Sequence, residues 1–132
     1  MKKRVIITLL VLATLVAMLG LAGCNVTVFS GTSVNSKEIT KATSWHITAS
    51  SLNGHGTRTV NMSPDGLSAL NVTSMNAAGN ITLTLSQGDT TSTVDISGNY
   101  SGSIDTSKFA AGKLNLRLDY ANAKDVDVYL SW

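Results

Sequence analysis

The side chains able to do chemistry are few and scattered. Asp125 and Asp127 stand two residues apart, and Arg117 and Asp119 repeat that spacing just upstream. Residues two apart in a strand share a face. Paired carboxylates on such a face could do acid–base work or supply oxygen ligands to calcium. No carboxylate here sits in an apolar context that would raise its pKa, so Arg117 and Lys124 are expected to balance these acids across a sheet. His46 and His55 are the two histidines, with Asp65 nearby in the chain, and no short ligand spacing joins them. None of the many serines lies in a Gly-x-Ser-x-Gly elbow. The residues therefore point away from an enzyme. Tyr129 supplies an aromatic ring beside this polar set, so Arg117, Asp119, Asp127 and Tyr129 form the candidate ligand face, with Tyr100 a second aromatic candidate.

The remaining chemically distinctive residue is Cys24, the single cysteine. One thiol excludes an intramolecular disulfide and any metal site built from several cysteines. Its surroundings give it another meaning. Lys2, Lys3 and Arg4 open the chain, an apolar run follows from Val5 to Leu21, broken only by Thr8, Thr14 and Gly20, and the run ends in Leu21-Ala22-Gly23-Cys24. This segment resembles the lipobox of bacterial prolipoproteins. The resemblance covers the first 24 residues and implies that residues 1–23 are a helical signal peptide cleaved before Cys24. It also implies a diacylglyceryl group on the Cys24 thiol and, in many bacteria, acylation of the new N-terminus.

Each buried methylene contributes about 0.8 kcal/mol, so two acyl chains anchor stably where one holds only marginally. The resemblance also implies an extracytoplasmic location, on the outer membrane if the source has two, because the residue after the cysteine is Asn25 rather than the Asp that marks inner-membrane retention in some Gram-negative bacteria. An uncleaved anchor is the alternative, since the apolar run approaches the roughly 20 residues that span a bilayer. Either way the positive-inside rule leaves the cationic start cytoplasmic and the rest of the chain outside.

With 132 residues the chain has room for one core. Its hydrophobic fraction of 43% is raised by the nearly all-apolar first 23 residues, and its net charge of +2 comes from them. Three of the ten basic residues lie there while all eight acids lie beyond, so the remainder carries seven bases against eight acids, a net charge of −1. A near-neutral domain without basic clusters offers no electrostatic footprint for nucleic acid. Ser, Thr, Asn and Gly are plentiful and strong helix formers scarce, which favours β-structure.

The elements that must position these residues are read from alternation. Trp45, Ile47 and Ala49 alternate with polar residues, as do Ile81, Leu83 and Leu85, then Leu114 to Tyr120, then Val126 to Trp132. Such runs are strands with one buried and one wet face. Residues 57–62, 67–73, 91–97 and 100–104 are weaker candidates. Turn chemistry punctuates them at Asn53-Gly54, Ser63-Pro64-Asp65-Gly66, Ala78-Gly79-Asn80, Gly88-Asp89, Ser101-Gly102 and Ala111-Gly112. Gly88-Asp89 fits a two-residue II′ hairpin, and residues 107–111 could hold one helical turn.

Residues 24–43, rich in Ser and Thr, read as a lipidated N-terminus and flexible tether with an r.m.s. span of roughly 25 Å, with an edge strand near Val26–Phe29 as the alternative. Residues 44–132 are expected to form a small antiparallel β-sandwich of about seven or eight strands, immunoglobulin-like or jelly-roll-like in general form. A membrane-anchored envelope lipoprotein whose non-catalytic sandwich binds a partner or serves a structural role at the cell surface is the expectation, needing no cofactor and held to the membrane through Cys24. Its other partner would be an envelope protein or a glycan. The alternatives are a carbohydrate-binding module or a hydrolytic enzyme using surface aspartates.

Overall fold

The computed structural model describes residues 27–132. The expected signal peptide (residues 1–23), the lipobox-like Leu21-Ala22-Gly23-Cys24 and the expected lipidation site Cys24 lie outside the described residues. Eight strands and one short helix follow in order: β1 (Thr27–Val34), β2 (Lys37–Lys41), β3 (Ser44–Met62), α1 (Pro64–Ala69), β4 (Asn71–Met75), β5 (Ala78–Gln87), β6 (Thr90–Asp95), β7 (Asn99–Ser103) and β8 (Gly112–Ser131). Every pairing is antiparallel. The all-β sandwich is thus the observed fold.

Two long strands organise it. β3 and β8 pair along nearly their whole lengths, from Ser44↔Ser131 to Met62↔Gly112. The first part of β3 carries β2 on its other side, and the matching part of β8 carries β4 and then β7. The second part of β3 carries β1, and the matching part of β8 carries β5 and then β6. One ribbon, bent in the middle, therefore serves two five-stranded layers. The bend is visible in the burial pattern, since Trp45, Ile47 and Ala49 face the core on odd positions whereas Leu52, Val60 and Met62 do so on even ones. In β8 the core parity shifts to Ala123 and back again to Val126, at a segment where Asn122 and Asp125 both take positive φ. A one-residue slip swaps faces, so these irregularities keep both layers facing one core.

Asn53-Gly54, expected to be a turn, is instead this bend inside β3, with the register shifting between Leu52 and Gly54. Gly54 (φ 131°) lies opposite Gly31 (φ 139°) of β1, and a Cβ on either would be driven into a backbone carbonyl of the other strand. The close crossing requires glycine on both sides. Ala78-Gly79-Asn80 is likewise an irregular start to β5, and Ser101-Gly102 lies within β7. Gly88-Asp89 does form the two-residue hairpin, closing Gln87↔Thr90 with Gly88 at φ 56°.

Three further expectations are corrected. Residues 27–41, read as tether, are two edge strands; they bury little, so they lack the apolar alternation of a core strand, but their β-branched residues pair fully with β3. Ser63-Pro64-Asp65 opens the helix α1, with the Ser63 hydroxyl accepting from the Gly66 amide at 3.0 Å and Pro64 in the first turn, while residues 107–111 form no helix. Trp132 shares parity with the core but is only half-buried, packing at the margin.

The core is mainly aliphatic: Ile81, Leu83, Leu85, Leu114, Leu116 and Leu118 are all fully buried. Arg58 is the charged exception. It points inward from one layer and donates to the carbonyls of Ser44 and Lys41 in the other, both at 2.6 Å, with its guanidinium 5.0 Å from the Trp132 ring. Burial lowers its pKa, opposed by the charge of Glu38. Arg58 closes the open end of the bent ribbon by satisfying the carbonyls of the β2–β3 turn.

Candidate functional site

The layers do not fill the space beneath β1 and β2, where a cavity of about 110 Å³ remains. Its apolar wall comes from Phe29 on β1, Trp45, Ile47 and Leu52 on β3, and Tyr120 on β8. Gly56 leaves the space open, because even a Cβ there would only reach ordinary contact with the rings of Trp45 and Phe29. Ser33, Ser36, Lys37 and Glu38 form the polar, exposed border. The volume is somewhat below the roughly 150 Å³ of an apolar cavity known to hold benzene, so one small ring or a short alkyl group fits.

Glu38 gives this cavity its polarity. β2 is an edge strand on which Lys37, Ile39 and Lys41 face outward and Glu38 inward, where its carboxylate accepts from the Trp45 indole N–H at 2.5 Å. Its second oxygen meets no side-chain donor among the described residues. The Tyr120 hydroxyl is pushed well above the ordinary tyrosine range, first by burial and then by the Glu38 charge. An apolar pocket with a carboxylate at its border can hold a small hydrophobic group and accept a hydrogen bond from its polar end.

The candidate ligand face is divided by the bend. Arg117 and Asp119 project from the part of β8 that pairs with β5, and join each other through bonds from Arg117 Nε and Nη2 of 2.9–3.1 Å. The carboxylate raises the pKa of that guanidinium. Asp127 and Tyr129 lie beyond the bend, on the part that pairs with β4. There they meet His46, whose Nε2 lies 2.8 Å from Asp127 Oδ1 and whose ring stands edge-on to Tyr129 at 5.5 Å. The four residues thus make two separate polar groups, one an internal ion pair and the other a His46–Asp127–Tyr129 cluster.

That cluster lies on an open sheet face. Ile39, His46, Tyr129, Thr73 and Ser101 sit side by side across five strands, and Asp127 remains 59% exposed. Asp127 is the one side chain bonded to His46 among the described residues, so no nucleophile is aligned with this pair. Tyr100 is half-buried on β7 and borders a shallow hollow with Met75 and Asn99. His55 lies across β3 from Asp119, far along the strand from His46. Asp65 opens α1. Among the described residues no three His, Cys, Asp or Glu side chains gather as metal ligands.

Glu38, Trp45 and Tyr120 were legible as a charge and two apolar residues, but their shared cavity depends on pairings across more than 70 residues of chain, for which no local pattern exists. No family model, curated protein or solved structure matches this chain.

Proposed function

We propose that this protein is a lipid-anchored extracytoplasmic β-sandwich that binds a ligand or partner at the cell surface without catalysing a reaction. The observation that carries the reading is Leu21-Ala22-Gly23-Cys24 at the end of a cationic-then-apolar export segment. Anchoring needs acyl chains on Cys24, and two provide a stable hold. The binding part of the reading is supported by the aromatic cavity with Glu38 at its border. In cells carrying Cys24→Ser, the precursor is expected to accumulate unprocessed and unlipidated. Fractionation and gel mobility check this, and a variant that matures and partitions like the wild type would contradict it.

A second reading, a glycan-binding module, is favoured by Tyr129. The residue is 42% exposed on an open sheet face, beside the hydrogen-bonding groups of His46 and Asp127. Aromatic rings stack on sugar C–H faces while neighbouring polar groups fix orientation. Glycan-array binding that disappears in Tyr129→Ala supports it, and absence of binding to any envelope or dietary glycan removes it.

A further inference from the structure

We infer that the β1–β2 edge of the sandwich lies directly on the bilayer surface, with exposed apolar side chains of both strands entering the interface and two lysines meeting anionic headgroups. This rests on the lipid-anchor reading of Cys24 and deepens it. The first support is reach. β1 begins at Thr27, three residues after Cys24, and three residues span at most about 10 Å. A strand paired to β3 from its first residue leaves no length of chain with which the domain could stand away from an anchor at Cys24.

The second support is composition. The large hydrophobic residues left exposed among the described residues are Val28, Phe29, Val34, Ile39, Met75 and Tyr129, and the first four fall on β1 and β2. β1 has eight residues and no charge, although an unprotected edge strand of this kind invites pairing unless something covers it. The other edges differ. β6 and β7 are short, and β6 carries Asp95.

The third support is charge. Lys37 and Lys41 flank Ile39 on the outer face of β2, while the single acid of this edge, Glu38, turns inward to Trp45. An edge that exposes apolar side chains on both strands and lysines on β2 suits a surface of anionic lipid. The cavity border is formed by the same edge, so a small apolar or amphiphilic ligand would enter from the interfacial layer.

The test uses full-length lipoprotein purified from membranes and reconstituted in vesicles of phosphatidylcholine with or without phosphatidylglycerol. The thiol of lipidated Cys24 is blocked, so Val28→Cys, Ile39→Cys and, on the opposite edge, Asn99→Cys each supply one free thiol for a fluorophore. All three positions are exposed, which keeps the substitutions compatible with folding. Nitroxide-bearing lipids are expected to quench the label strongly at residues 28 and 39 and weakly at 99. Lys37→Ser with Lys41→Ser should abolish the extra quenching gained from phosphatidylglycerol. Equal weak quenching at all three positions, in protein whose mass includes the lipid, overturns this inference and leaves the anchor intact. Protection of residue 28 that falls on dilution of protein within the vesicles assigns the edge to a second copy and also overturns it. A mass without lipid overturns the anchor reading itself.

Discussion

The two long edges of the sandwich are built differently. At the β6–β7 edge the layers are closed by aliphatic and aromatic side chains, with Ile96 fully buried and Ile104 and Phe109 nearly so. Ser97 and Asn76 secure the backbone there: Ser97 accepts from the Ile81 amide at 2.9 Å, and Asn76 accepts from the Gly98 amide at 2.6 Å. At the β1–β2 edge the strands are exposed, the lining is aromatic, and a cavity persists. Flat rings around a glycine leave gaps that interdigitating aliphatic chains fill, and packing energy follows that difference. Closure makes one edge a source of stability, and under the proposed function the open edge is where a ligand or partner would dock.

Truncations should separate the two edges most strongly. Leu118→Ala, in the fully buried wall against β5, is expected to cost about 2–5 kcal/mol in urea melts, whereas Phe29→Ala, at a residue 40% exposed, should cost about 1 kcal/mol. Equal losses would erase the distinction. A smaller contrast tests how the bend and the cavity use glycine. Gly54→Ala forces a side chain into a left-handed conformation against the β1 backbone and should cost about 2 kcal/mol. Gly56→Ala only trims the cavity and should stay within about 0.5 kcal/mol of wild type. Thermal or urea denaturation of the two variants reads this directly.

The smallest effect at neutral pH concerns Tyr120. Burial and Glu38 hold its hydroxyl protonated above the ordinary value of 10.0. The unfolded chain therefore loses this proton first as pH rises, so the folded state holds more protons above pH ~10 and stability falls there. The contribution is complete below that pH. Tyr120→Phe should lessen this alkaline loss, by less than about 1.4 kcal/mol per pH unit, and leave stability near neutrality largely unchanged. An unchanged alkaline slope in the variant would show that Tyr120 is not held by this edge.

Much of the fold was legible where one face is wet and the other dry. Trp45 to Ala49, Ile81 to Leu85 and Leu114 to Tyr120 alternate cleanly because each strand has a core face, and burial follows that alternation. The long bent strands were not legible, since Asn53-Gly54 carries the residue types of a turn, and the positive-φ tolerance of Gly54 and of Asn122 serves bends inside continuous strands. β1 and β2 were read as a tether for a related reason: an edge strand can be held by backbone pairing alone, which leaves no periodic signature. The candidate face was chosen by parity within two runs, and parity cannot register that the bend sets Asp119 and Asp127 apart. The cavity needed Phe29, Glu38, Trp45 and Tyr120 to converge from distant segments.

The central claim is that the open edge begins at a lipid anchor, and the intact mass of the protein extracted from membranes tests it most directly. The predicted species starts at Cys24 and carries the mass of a diacylglyceryl thioether, with or without a third acyl chain. A species that retains Met1, or one that starts elsewhere with an unmodified Cys24 thiol, would contradict the account.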